Sequence, residues 1–105
     1  MKELALDKFE EAYEIVKEVT SETKLIYSDH FSARTGNKVY LKPENMQLTG
    51  AYKLRGAYYK ISTLSEEERE KGLITASAGN HDQGVANAEK CYGVKAVIVM
   101  PTTTP

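Results

Sequence analysis

The sequence predicts an α/β fold with an incomplete parallel sheet, and three observations lead to this prediction. The 105-residue chain has room for one small domain or for part of a larger one. Its second half alternates strand, helix and strand, the pattern of a right-handed parallel crossover. Its most apolar strand comes directly before the last residues, 101–105, so we expect an N-terminal fragment. The alternative is a complete small domain followed by a disordered tail.

In the first half, one amphipathic helix and two short strands are predicted. Apolar residues recur at helical spacing over residues 7–19. Residues 25–27 and 39–42 are rich in β-branched, aromatic and aliphatic side chains, which favours strands. Pro43 ends the second strand, and the long loop that continues to Gly50 is of the kind that carries function.

The second half contains the crossover, preceded by two helices. Residues 52–63 predict a helix, and Ser65 with Glu68 forms a capping box for a short charged helix that ends near residue 72. The crossover itself consists of a buried strand, a helix ended by a glycine C-cap and a second strand. These three elements are predicted at 73–76, 80–92 and 94–100.

Composition and charge exclude several classes of protein. With 41% hydrophobic and 28% charged residues the chain is globular rather than disordered. A net charge of -1 gives no basis for binding nucleic acid or an anionic membrane surface. There is neither an apolar run of about 18 residues nor the apolar core of a signal peptide. The single cysteine, Cys91, fits a reducing cytoplasm, and its place late in a helix predicts packing rather than catalysis.

Lys53 lies where a glycine-containing loop enters a helix, within the segment 49–57. The positive end of a helix is unfavourable for a charged lysine, whereas partial burial there favours the neutral amine that attacks a carbonyl. A solvated lysine is the alternative. The neighbouring Tyr52 suits either a planar cofactor ring or the core, and Arg55 suits either an anion or a surface ion pair.

The turn at 77–81 is a candidate anion site, because successive backbone N–H groups at a helix start bind anions. Gly79 permits close approach of a ligand to the backbone. The turn follows a parallel strand, and open α/β sheets bind ligands at that end. The alternative is an ordinary turn in which Ser77 or Asn80 caps the helix. No partners at metal-ligand spacing accompany His81, so we expect no metal site.

Segments 39–57, 75–86 and 97–105 together resemble the serine/threonine dehydratase branch of the fold type II pyridoxal-phosphate enzymes, most specifically the threonine dehydratases. The resemblance implies a truncated form of that family's three-layer, tryptophan synthase β-like α/β fold. Residues 1–50 would then belong to a larger domain. Residues 51–105 would form an incomplete small domain that carries the cofactor lysine and the anion-binding turn.

The resemblance also implies roles for individual residues. Lys53 would form the Schiff base with pyridoxal 5'-phosphate and later take the substrate's α-proton. Asn80 would bind the cofactor's 3'-oxygen, and Tyr52 would pack near its ring. The substrate carboxylate would be held by the backbone amides of Ser77, Ala78, Gly79, Asn80 and His81. Related racemases carry a serine at the position of Ala78, so its absence favours elimination.

The activity implied for the parent protein is conversion of L-threonine to 2-oxobutanoate and ammonia. The parent would be a cytoplasmic homo-oligomer, and a serine dehydratase is the near alternative. Because the family's glycine-rich phosphate loop lies downstream of these segments, we expect the fragment to be inactive alone. The competing hypotheses are a self-folding fragment that at most binds anions and a fragment with a purely structural role.

The helix after the turn departs from the family, whose version is apolar and buried. Asp82, Asn87 and Glu89 give this chain a polar helix side, so we expect a half-exposed helix. One hypothesis is that an excised fragment was given this polar face so that it folds alone.

Overall fold

The computed structural model describes residues 4–104, and the ends of the two predicted domains, residues 1–3 and 105, lie outside the described residues. Nine α-helices and β-strands are described, and they confirm the predicted α/β class. In chain order they are α1 (Leu6–Val16), β1 (Ile26–Tyr27), α2 (Asp29–Thr35), β2 (Tyr40–Leu41), α3 (Lys53–Ser62), α4 (Glu66–Glu70), β3 (Leu73–Ala76), α5 (Asn80–Tyr92) and β4 (Ala96–Val99). No helix within residues 4–104 is long and apolar enough to cross a membrane.

The predicted parallel crossover is confirmed, but its first strand, β3, is not buried as predicted, since Ile74 and Ala76 are exposed. Strands β3 and β4 pair in parallel over four residues each, in register from Leu73 opposite Ala96 to Ala76 opposite Val99. The Ser77 N–H extends the ladder by donating to the Val99 carbonyl at 3.1 Å. Alternate strand residues are exposed, so one face of this two-stranded sheet is open while α5 contacts the sheet.

The first half contains a helix that the sequence interpretation missed. Strands β1 and β2 form an antiparallel pair of only two residues each, shorter than predicted. Between them lies α2, whose first turn is capped by the Ser28 side chain accepting from the Phe31 N–H. Helix α2 ends at Gly36, which has a φ of 70°. Helix α1 ends at Val16, three residues before the predicted end at 19.

The core lies between α3, α5 and α1. Leu54 and Ala88 are fully buried, and Val16, Tyr58 and Ile61 pack beside them at 4–5% exposure. The capping box of Ser65 and Glu68 is present as predicted, and Gly93 ends α5 in the left-handed conformation. Within this core, α3 packs directly against α5.

Two predictions about α5 are wrong. Asp82 is 6% exposed, not part of an exposed polar side, and Cys91 is exposed, not packed. Asp82 is buried because α5 contacts both α3 and the sheet, so its buried arc is wider than a single apolar stripe, whereas Cys91 near the end of the helix lies outside that arc. Asn87 and Glu89 are half-buried. The hypothesis of a polar face made for exposure therefore does not account for Asp82.

Candidate functional site

A tight turn carries the chain into α3 and presents Lys53. The Gly50 N–H donates to the Gln47 carbonyl at 2.8 Å, and Gly50 takes a φ of 71°, which favours glycine. The next residue, Ala51, is buried and anchors the loop. Tyr52 is 61% exposed and so is not a core residue. The Lys53 side chain is exposed, not partly buried as expected, with its Nζ 5.8 Å from the centroid of the Tyr52 ring.

The turn before α5 has the open geometry of an anion site. Gly79 is the N-cap residue, and no side chain caps the helix, so the alternative of a cap by Ser77 or Asn80 is not observed. The Ser77 Oγ accepts from the Gly79 N–H at 3.3 Å. Within residues 4–104, the N–H groups of Ala78 and Asn80 have no protein acceptor. A Cβ built on Gly79 meets no atom within 4 Å, so a ligand has room to approach the backbone.

Close packing of α3 on α5 brings the two predicted motifs together. A Cβ built on Gly84 would lie 3.0 Å from the Lys53 carbonyl oxygen and 3.2 Å from the Ala57 Cβ. Only a residue without a side chain fits this contact without displacing helix backbone. The second turn of α5 therefore lies against the first turn of α3, and Lys53 begins its helix next to the start of the turn-bearing helix.

Glu44 and Arg55 form a half-buried ion pair beside Lys53. The Arg55 Nε donates to Glu44 Oε2 at 2.8 Å, and its Nη2 donates to Glu44 Oε1 at 3.0 Å. The hydrogen bond from the Arg55 guanidinium lowers the pKa of Glu44 to about 2. Of the two interpretations of Arg55, the ion pair is therefore the observed one, although it is more buried than a surface pair.

The sequence interpretation missed the residues that hold Glu44. Thr23 Oγ1 donates to Glu44 Oε1 at 2.8 Å, and Gln47 Nε2 lies 3.4 Å from the same oxygen. The Gln47 side chain also bonds both backbone groups of Ser21. One signal was available in the sequence: α3 starts with two cations and no acid in its first turn, so a carboxylate from elsewhere in the chain would be favourable there.

Asp82 is a buried carboxylate in the first turn of α5. Within the described residues, neither of its oxygens has a hydrogen-bond partner. The helix start favours the negative charge only modestly, so the missing partners leave a net desolvation cost. In the same part of the chain, no group of three or more histidine, cysteine or acidic residues is placed to hold a metal.

Comparison with known proteins places these motifs in one family. Residues 16–105 match the family described as pyridoxal-phosphate dependent enzymes. The chain is 51% identical over 102 residues to the L-threonine ammonia-lyase of Thermotoga maritima. The matched segment covers 97% of this chain and 25% of the Thermotoga protein. The predicted resemblance to the threonine dehydratases is thus confirmed.

Solved structures show the same fold. The processed form of threonine deaminase isoform 2 from Solanum lycopersicum superposes with a TM-score of 0.78 at 44% identity. It covers 97% of this chain, which corresponds to 31% of the tomato chain. Serine racemase from Dictyostelium discoideum superposes with a TM-score of 0.88 at 35% identity, over 97% of this chain and 33% of its own. The chain thus spans between a quarter and a third of these relatives.

Proposed function

Because the chain belongs to the family of pyridoxal-phosphate dependent enzymes, we propose that it supplies the cofactor lysine and the carboxylate-binding turn of a threonine dehydratase. One observation carries the proposal: Gly84, in the second turn of α5, packs against the Lys53 carbonyl oxygen, so the helix start that bears the exposed Lys53 contacts the helix that the 77–81 turn opens. A primary amine and free N–H donors are the two groups that this chemistry requires from the protein.

The residues present fit pyridoxal 5'-phosphate. Lys53 offers an exposed amine for covalent attachment, and the exposed Tyr52 ring beside it offers a surface for a planar ring. Asn80, exposed at the first position of α5, offers an amide for the cofactor's 3'-oxygen. When bound, the cofactor supplies an electron sink for the substrate's α-carbon.

The chain's own residues would orient the substrate and move its proton. The backbone N–H groups of residues 77–81 were predicted to hold the substrate carboxylate, but the Ser77 N–H donates to the Val99 carbonyl and the Gly79 N–H to Ser77 Oγ. The N–H groups of Ala78, Asn80 and His81 would therefore hold it, with that of Gly79 joining if it leaves the Ser77 hydroxyl. The positive end of α5 adds a favourable field for that carboxylate. With the carboxylate fixed, the Lys53 amine takes the α-proton as general base. Ala78 offers no hydroxyl for a second base, which favours elimination over racemisation.

The whole protein would convert L-threonine to 2-oxobutanoate and ammonia, with serine as the alternative substrate. We place it in the cytoplasm as a homo-oligomer that binds a small amino acid. The boundary near residue 50, between a larger domain and the small domain of 51–105, belongs to the same proposal. A second candidate, a non-catalytic module that binds anions at 77–81, is favoured by the free N–H groups of that turn.

Selective labelling of Lys53 tests the proposal in the chain itself. Pyridoxal phosphate is added, the covalent bond is reduced with borohydride, and the modified lysines are mapped by mass spectrometry. We expect Lys53 to carry more label than any other lysine, because its amine is exposed next to a ring surface. Lys60→Ala, which removes an exposed lysine from the same helix, is the matched control for Lys53→Ala. Label spread evenly over the lysines, unchanged in Lys53→Ala, would support the second candidate.

A further inference from the structure

The polar residues around Glu44 connect the two ends of the loop that directly precedes Lys53. Gln47 precedes residues 48–52, Arg55 follows them, and both contact the Glu44 carboxylate. Thr23 Oγ1 donates to the same carboxylate from outside the loop. We name Thr23, Glu44, Gln47 and Arg55 the Glu44 clasp.

The clasp is anchored to the rest of the chain at two points. The Ser21 N–H donates to Gln47 Oε1 at 2.9 Å, and Gln47 Nε2 donates to the Ser21 carbonyl at 3.0 Å. The Lys42 ammonium donates to the Thr23 carbonyl. Because Gln47 bonds both polar groups of one backbone residue, its side chain has a fixed orientation. The start of the loop is therefore held by backbone outside α3.

The charge of Glu44 compensates an unfavourable helix start. Lys53 and Arg55 place two cations in the first turn of α3, where the dipole is positive, and no side chain caps this helix. Glu44 supplies the missing negative charge through two hydrogen bonds to one guanidinium, the strongest geometry for such a pair. The Glu44 side chain is only 17% exposed, so solvent screens the pair weakly.

We infer that the Glu44–Arg55 pair is a positioning device, which closes the 48–52 loop and thereby holds Tyr52 and Lys53 where the cofactor is bound. Only the last part of this inference, that Tyr52 and Lys53 are held where the cofactor is bound, rests on the proposed function. Neither Glu44 nor Arg55 reacts; both act through the loop that they close. The lowered pKa of Glu44 means that the pair is lost only in strong acid, as the pH falls from the usual carboxyl range toward 2.

Hydrogen exchange of the loop amides tests the closure. The Gly50 N–H, bonded to the Gln47 carbonyl, reports on the loop, and the Ala88 N–H reports on the fully buried core. In Glu44→Gln we expect exchange of Gly50 to accelerate about tenfold more than that of Ala88, because the loop opens locally. The control is Glu67→Gln, which breaks the exposed pair with Lys71 and leaves both rates unchanged. Equal acceleration of both amides, or none at Gly50, would overturn the inference.

Cofactor labelling tests the consequence for Lys53. We expect Glu44→Gln to lower the share of label on Lys53 about threefold or more under conditions where circular dichroism shows a folded chain. The exchanged pair, Glu44→Arg with Arg55→Glu, restores a salt bridge and is expected to recover most of that share. The exchanged pair also tests the inference if Glu44→Gln does not fold. If pyridoxal phosphate does not label Lys53 selectively in the unsubstituted chain, the proposed function fails. The hydrogen-exchange rate of the Gly50 N–H still shows whether the Glu44–Arg55 pair closes the 48–52 loop.

Discussion

Replacement of Asp82 by alanine is expected to raise the free energy of unfolding by about 1–2 kcal/mol. The Asp82 carboxylate is buried, and within residues 4–104 neither oxygen has a partner, so folding removes it from water without replacing its hydrogen bonds. Two smaller effects oppose the gain. The first turn of a helix favours an acid by about 0.5 kcal/mol, and the shorter alanine leaves a small void.

Urea unfolding followed by circular dichroism measures this effect. The matched control is Asp29→Ala, because Asp29 also lies in the first turn of a helix but is exposed. Its loss is expected to lower stability by a few tenths of a kcal/mol, through the helix dipole alone. A lower stability for Asp82→Ala would contradict the prediction, since it would mean that the carboxylate makes a favourable interaction.

Replacement of Gly84 by valine is expected to cost about 2 kcal/mol of stability and to separate the two halves of the site. Even a single Cβ at this position lies 3.0 Å from the Lys53 carbonyl oxygen, and the atoms that it meets belong mainly to helix backbone. Backbone of this kind cannot move aside without shifting α3. Lys53 would therefore move away from the turn at 77–81.

The control for Gly84→Val is Ala86→Val, which places the same side chain at an exposed position of the same helix. We expect it to cost about 0.5 kcal/mol, the difference in helix propensity. Both variants are compared by urea unfolding and by the share of pyridoxal phosphate reduced onto Lys53. Equal stability of the two variants would show that α5 does not pack on α3 as closely as described.

The sequence was informative wherever local pattern and tertiary packing agree. Residues 73–76 and 96–99 are apolar and β-branched, and the helix between them ends at a glycine, so the parallel crossover was predictable. Helix α2 was missed because only Ser32 of its seven residues is buried, which leaves no apolar periodicity to detect.

The candidate site also contains residues that a local sequence pattern reveals and residues that only the tertiary contacts reveal. Lys53 and the turn at 77–81 could be proposed from the sequence because each is a local motif, a lysine at a helix start and a glycine turn after a strand, and their roles stay predictions. The partners of Glu44 come from segments up to 21 residues away, and no local pattern encodes such contacts. Asp82 was assigned to the exposed side because the sequence does not reveal that α5 is contacted from two directions.

We propose that Lys53 and the 77–81 turn belong to a threonine dehydratase, and the activity of a chimeric enzyme tests this function. The chain replaces the 102 matching residues of the Thermotoga maritima L-threonine ammonia-lyase, and release of ammonia from L-threonine is measured. We predict an active chimera that loses about a thousandfold or more of its rate in Lys53→Ala, because the attachment point and general base are removed together. A folded chimera that binds pyridoxal phosphate and keeps its rate after Lys53→Ala would show that Lys53 is neither the attachment point nor the base.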